Sequence, residues 1–88
     1  MSEDIQQVAR AARKHLSAIH PGGSNLDVIE ARIRRDESVW RVPVQPDYEP
    51  PKLYEYYEEL GQVEDAIFAQ ENIRVFLVPA EPKAERAA

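Results

Sequence analysis

Hydrophobic positions recur along this chain with two different periods. In residues 3–19, Ile5, Val8, Ala12, Leu16 and Ile19 return at three- and four-residue steps, with Ala9 beside them. That spacing lines one side of a helix. Ser2 is a natural N-cap, and Glu3 and Asp4 suit the positive end of the helix dipole. Pro21-Gly22-Gly23-Ser24-Asn25 then breaks the pattern and predicts a loop.

The period shortens to two in the next segment. Residues 26–35 and 38–44 read as a β-hairpin turning at Asp36-Glu37. With Arg35 opposite Ser38, Ile33 meets Trp40, Ala31 meets Val42 and Ile29 meets Val44, all on one face. The other face then takes Arg34 with Val39, Arg32 with Arg41, and Glu30 with Pro43. Asp-Glu is not a favoured two-residue turn, which leaves room for a longer loop. Pro43 has no N–H to give a ladder, so the second strand is expected at a sheet edge or to end early.

Residues 51–71 return to the helical period. Pro46, Pro50 and Pro51 keep the preceding connection extended, and Pro51 suits a first helical turn. Leu53, Tyr56, Leu60, Val63 and Ile67 form the apolar stripe, with Tyr57 and Phe68 along one side. Asn72 is placed to end the helix in a left-handed cap. Residues 73–78, IRVFLV, predict a third strand stopped by Pro79. Residues 80–88 offer a core nothing and are expected to be a disordered tail to a single domain, 1–79.

The expected fold is therefore α+β, a two-layer α-β-β-α-β sandwich. Two helices lie on one face of a three-stranded, mainly antiparallel sheet. If the second strand is an edge, the order is 2-1-3; order 1-2-3, with a parallel pair, is the alternative.

Composition narrows the function classes. The chain of 88 residues has no Cys, which removes disulfides, thiolate metal sites and cysteine nucleophiles. That favours a reducing cytoplasm. The opening MSEDIQQVARAARK has no apolar signal-peptide core, and no run is long enough to span a membrane. A net charge of −5 disfavours nucleic acid as a partner.

Catalytic and cofactor patterns are missing. Glycine stands only at 22, 23 and 61, too few for a phosphate loop or a dinucleotide fingerprint. There is no Thr, and the four Ser lack the context of a nucleophile elbow. His15 and His20 are off the one-turn spacing that shares a metal, and His15 reads as a structural residue. No metal or cofactor is expected, and the protein reads as non-catalytic.

Three features resist a purely structural explanation. Glu64 falls inside the apolar stripe between Tyr57 and Ile67, where a carboxylate must reach water or a donor such as Arg, the Trp40 N–H or a Tyr hydroxyl. Gly61 sits mid-helix at a cost of about 1 kcal/mol relative to Ala. Tyr54, Tyr57 and Phe68 flank it, and either Ala9 and Ala12 of the first helix fill that dent or a partner does. The open sheet face should carry Arg32, Arg34, Arg41 and Arg74 with Val28, Phe76 and Val78. Arginines with an aromatic on a bare sheet are what single-stranded nucleic-acid platforms use, though one ring is a weak signal.

Charge is segregated as well: residues 52–71 hold Lys52 against six acids. The expectation is a small protein-interaction module that binds another protein or itself. It would use the Tyr/Glu-rich helix, including Tyr48 just before it, or the Arg-bearing sheet. A nucleic-acid-binding domain on the open sheet face is the alternative.

Overall fold

Helices α1 (Ser2–Leu16) and α2 (Leu53–Glu71) cover one face of a four-stranded sheet. Its strands are β1 (Leu26–Val28), β2 (Arg34–Asp36), β3 (Val39–Pro46) and β4 (Val75–Pro79). The computed structural model describes residues 2–83; the side chains of Ser2 and Glu3, and so the expected cap, lie outside the described part, as do residues 84–88. Among the described residues no helix is long and apolar enough to cross a membrane.

The α+β class, the two-helix layer and the mainly antiparallel sheet are as expected. The strand order 2-1-3 is corrected. β3 is central: β1 and β2 pair antiparallel with one of its edges, and β4 pairs parallel with the other.

Pro43 shows why the edge assignment does not hold. Odd-numbered residues of β3 turn their backbone toward the first strand, where Ile29 N–H donates to Pro43 C=O at 3.1 Å. Even-numbered residues turn toward β4, where Trp40 N–H donates to Arg74 C=O at 2.9 Å. The missing Pro43 donor therefore faces β1 and β2. At that point the chain leaves the ladder in a 3₁₀ turn, Glu30–Arg32. The Ile29 carbonyl, which an N–H at 43 would have met, accepts from Arg32 N–H at 2.9 Å instead. A proline thus sits in a central strand without orphaning an acceptor.

The same turn alters the register. β2 pairs Arg35 with Trp40 around a turn at Glu37-Ser38, in which Glu37 adopts φ 59°. β1 pairs Val28 with Val44. Residues 29–33 thus lie against Val42 and Pro43 alone, three residues more than a regular ladder holds. An odd insertion switches the faces. Val28, expected on the open face, is buried; Ala31, expected inside, is exposed, and Ile29 is half-buried.

The core joins Val8, Ala12 and Leu16 of α1 with Tyr56, Leu60, Val63 and Ile67 of α2 over Val28, Ile33, Val42, Val44, Val75 and Leu77. Leu53, expected on the stripe, opens α2 and is exposed. Asn72 ends that helix at φ 57°, its N–H on Phe68 C=O at 3.0 Å. Arg13 ties α1 to the broken strand, with Nε on Asp27 and Nη1 on Glu30, both at 3.1 Å. Burial opposes ionisation of Asp27. The Val28 N–H, Arg13 and Lys83 outweigh it and hold the carboxyl below its ordinary value.

Residues 80–83 of the expected tail are anchored. Ala80 N–H donates to Val44 C=O at 2.8 Å and Lys83 N–H to Pro46 C=O at 2.9 Å. They extend β4 past its end and bring Lys83 to Asp27 at 3.5 Å.

Candidate functional site

The buried stripe of α2 leaves an adjacent strip of the helix uncovered. Tyr57, Gly61, Glu64 and Phe68 recur along that strip at three- and four-residue steps, so they lie over one another. Beside them runs β4. Its alternation sends Val75 and Leu77 into the core and leaves Phe76 exposed. The space between helix and strand is a trough. One part, of about 520 Å³, is lined by Tyr57, Leu60, Gly61, Glu64, Phe76, Leu77 and Pro79. The next, of about 500 Å³, is bounded by Glu64, Asp65, Phe68, Arg74, Val75 and Phe76, with Val39. Glu64 and Phe76 belong to both, so the two parts are contiguous.

Large aromatic surface is left facing water here. Tyr57 is 49% exposed, Phe68 46% and Phe76 48%. Two of these rings carry an arginine: Arg74 lies 5.2 Å from the Phe68 centroid and Arg41 lies 5.8 Å from that of Phe76. Guanidinium–ring contacts of this kind are mildly favourable at exposed sites.

Glu64 finds a donor that the sequence did not suggest. Its carboxylate accepts the backbone N–H of Leu77 at 2.8 Å. Among the described residues no Arg, Trp40 or Tyr, the expected donors, serves it. The bond exists because β4 lies beside β3. Phe76 and Val78 then turn their backbone toward β3, and Val75, Leu77 and Pro79 turn theirs outward. Pro79 has no N–H to offer. Glu64 and Pro79 together blunt a free strand edge.

Gly61 is open. A Cβ built there would meet no atom within 4 Å. The expectation that α1 comes close at this point is therefore corrected. Ala9 and Ala12 are buried in the common core instead, and the dent at Gly61 belongs to the trough.

The other expected residues are dispersed. Tyr54 projects from the first turn of α2 and is 71% exposed, apart from the trough lining. Tyr48 is held elsewhere, its hydroxyl donating to Gly22 C=O at 2.9 Å. Arg34 stands opposite Arg41 in the ladder, where Arg32 was expected. Asp36 answers Arg41 at 3.5 Å. Arg32 lies in the 3₁₀ turn and meets Glu81 at 3.5 Å. Of the expected set, Tyr57, Gly61, Glu64 and Arg74 line the trough, and Arg41 reaches it over Phe76.

Away from the trough, Glu59 is half-buried with Oε1 unpartnered among the described residues. Glu55, Glu58 and Asp65 are exposed. Glu71 takes His15 Nε2 at 3.4 Å and Lys14 at 3.5 Å, joining the two helix ends. Among the described residues, no three His, Asp or Glu side chains gather as a metal site. The trough offers apolar rings, a backbone edge and a carboxylate, which is binding chemistry. No family model matches this chain, and no curated protein or solved structure matches it.

Proposed function

We propose that this chain is a small, non-catalytic protein-interaction module that docks a partner in the trough between α2 and β4. The observation that carries this is a free strand edge flanked by three half-exposed rings, Tyr57 and Phe68 on α2 and Phe76 on β4. Aromatic side chains and arginine are enriched at protein interfaces. Contiguous exposed apolar surface on so small a domain also marks contact sites. The cytoplasm, which the lack of cysteine suits, is the proposed compartment.

A comparison of two immobilised chains in a lysate of the source cell tests this reading. The expected result is a protein retained by the native chain and lost with Phe68→Ser/Phe76→Ser. A native circular dichroism spectrum is required of the variant, so that lost binding is not lost folding. A partner lost instead with Arg34→Glu would move the site to the sheet face. The nucleic-acid alternative has less to support it, since Asp36 and Glu81 already answer Arg41 and Arg32. Salt-sensitive binding of single-stranded oligonucleotide would restore it.

A further inference from the structure

We infer that the trough takes an extended basic and apolar segment of a partner protein, which adds as a strand to the free edge of β4 and displaces Glu64 from Leu77. This rests on the interaction reading above and specifies its ligand. The backbone of β4 supplies the first argument. Arg74 C=O and the Ala80 N–H are taken up by β3. Alternation therefore turns the groups of Val75 and Leu77 to the trough. An added strand sits about 4.8 Å from its neighbour, which places it along the trough walls. On the helix side its side chains meet Tyr57 and the dent at Gly61; on the other side they meet Phe76.

Glu64 supplies the second argument. Its oxygen, 2.8 Å from the Leu77 nitrogen, occupies the position that a partner strand's carbonyl would take. It satisfies the edge while the site is empty. A carbonyl that replaces it releases a carboxylate next to the incoming chain. Pro79 ends the available ladder, so the segment recognised is short.

Charge decides the occupant. Residues 52–71 carry six acids against Lys52, and Glu64 and Asp65 lie in the trough itself. A second copy, paired β4 to β4 about a two-fold axis, would set one acidic helix near another. A lysine- or arginine-bearing strand meets Glu64 and Asp65 with opposite charge, two acids against the one lining base, Arg74.

The test is a titration of the ¹⁵N-labelled full chain with a capped synthetic peptide of alternating lysine and valine. The Val75 and Leu77 amides are expected to shift and to exchange more slowly. The same peptide N-methylated at every backbone nitrogen should bind at least about fivefold more weakly, the loss of one or more hydrogen bonds. A glutamate–valine peptide should also bind more weakly, and Glu64→Gln should weaken the lysine peptide. Equal binding of the N-methylated peptide at Tyr57 and Phe76 would overturn strand addition while leaving the docking trough standing. Equal binding of the glutamate peptide would overturn the charge assignment. Overturned too is the inference if no peptide shifts the trough, or if the free chain dimerises through β4. The lysate comparison then judges the interaction reading by itself.

Discussion

The carboxylate of Glu64 on α2 holds the outward N–H of Leu77 on β4 at 2.8 Å. A side chain thus substitutes for a neighbouring strand. Glu64→Ala should leave that N–H to water and cost about 1 kcal/mol. Amide exchange at Leu77 should accelerate while Phe76, which faces β3, stays protected. An unchanged Leu77 exchange rate would mean that the bond contributes nothing in solution.

Gly61 faces open space. Gly61→Ala should therefore stabilise α2 by up to about 1 kcal/mol, because helical Gly is costly and nothing obstructs the methyl group. Gly61→Leu should also fold, and should fill the trough. Urea titration of both variants checks this. A large loss of stability in Gly61→Ala would place another element against residue 61.

Gly22 adopts φ 62°, and a Cβ there would stand 2.5 Å from Pro51 Cδ. Gly22→Ala should cost about 2–3 kcal/mol, from left-handed strain and from overpacking. Adding Pro51→Ala should recover the overpacking part alone. The recovery is read as a coupling energy in a double-mutant cycle.

Tyr56 is 2% exposed, and its hydroxyl has no hydrogen-bond partner among the described residues. Tyr56→Phe should gain about 1 kcal/mol by removing an unsatisfied buried group. Burial, and secondarily the neighbouring Tyr57, push its pKa from 10.0 up to about 12. The folded state thus keeps the proton where the unfolded state releases it. Stability is unaffected by this shift below pH 10 and falls as pH rises toward 12, where ionisation is penalised in the folded state alone. The fall is about 2–3 kcal/mol, and Tyr56→Phe should lack it in urea melts across that range.

Asp27 titrates with the opposite sign. Its folded carboxyl lies below the ordinary 3.8. The stabilisation is present above that value and is lost as pH falls through the lowered one. Asp27→Asn should cost about 1 kcal/mol at neutral pH, discounted because the Arg13 pair is half-exposed. The gap between variant and native chain should close in acid-unfolding curves.

The helices are legible in the sequence because their evidence is local. Tyr56, Leu60, Val63 and Ile67 announce a buried face by spacing alone, and Asn72 announces its end. The sheet order is not legible in the same way. Pro43 implies an edge unless the facing chain steps aside, and Glu30-Ala31-Arg32 carries no pattern that announces such a step. Glu64 is a middle case. Its misfit on an apolar stripe is visible, but its partner is a backbone N–H whose direction depends on which strand lies beside β4. A main-chain donor leaves no trace in residue identity. Gly61 could be weighed only as filled or open, because a glycine shows no side chain whose chemistry points to a neighbour.

The 3₁₀ turn at Glu30–Arg32 has a consequence for how this chain tolerates changes in length. Excising residues 30–32 would join Ile29 to Ile33 and bring the two halves of the first strand into one continuous register against β3. Val28 and Ile33 would keep their inward orientation, so the hairpin could close without turning inside out. The shortened chain would instead fail at one atom. The Ile29 carbonyl, now answered by Arg32, would face the nitrogen of Pro43, which has no hydrogen to give. Excision together with Pro43→Val would supply that hydrogen. Loop length and proline at this place are thus a matched pair, each tolerable because of the other.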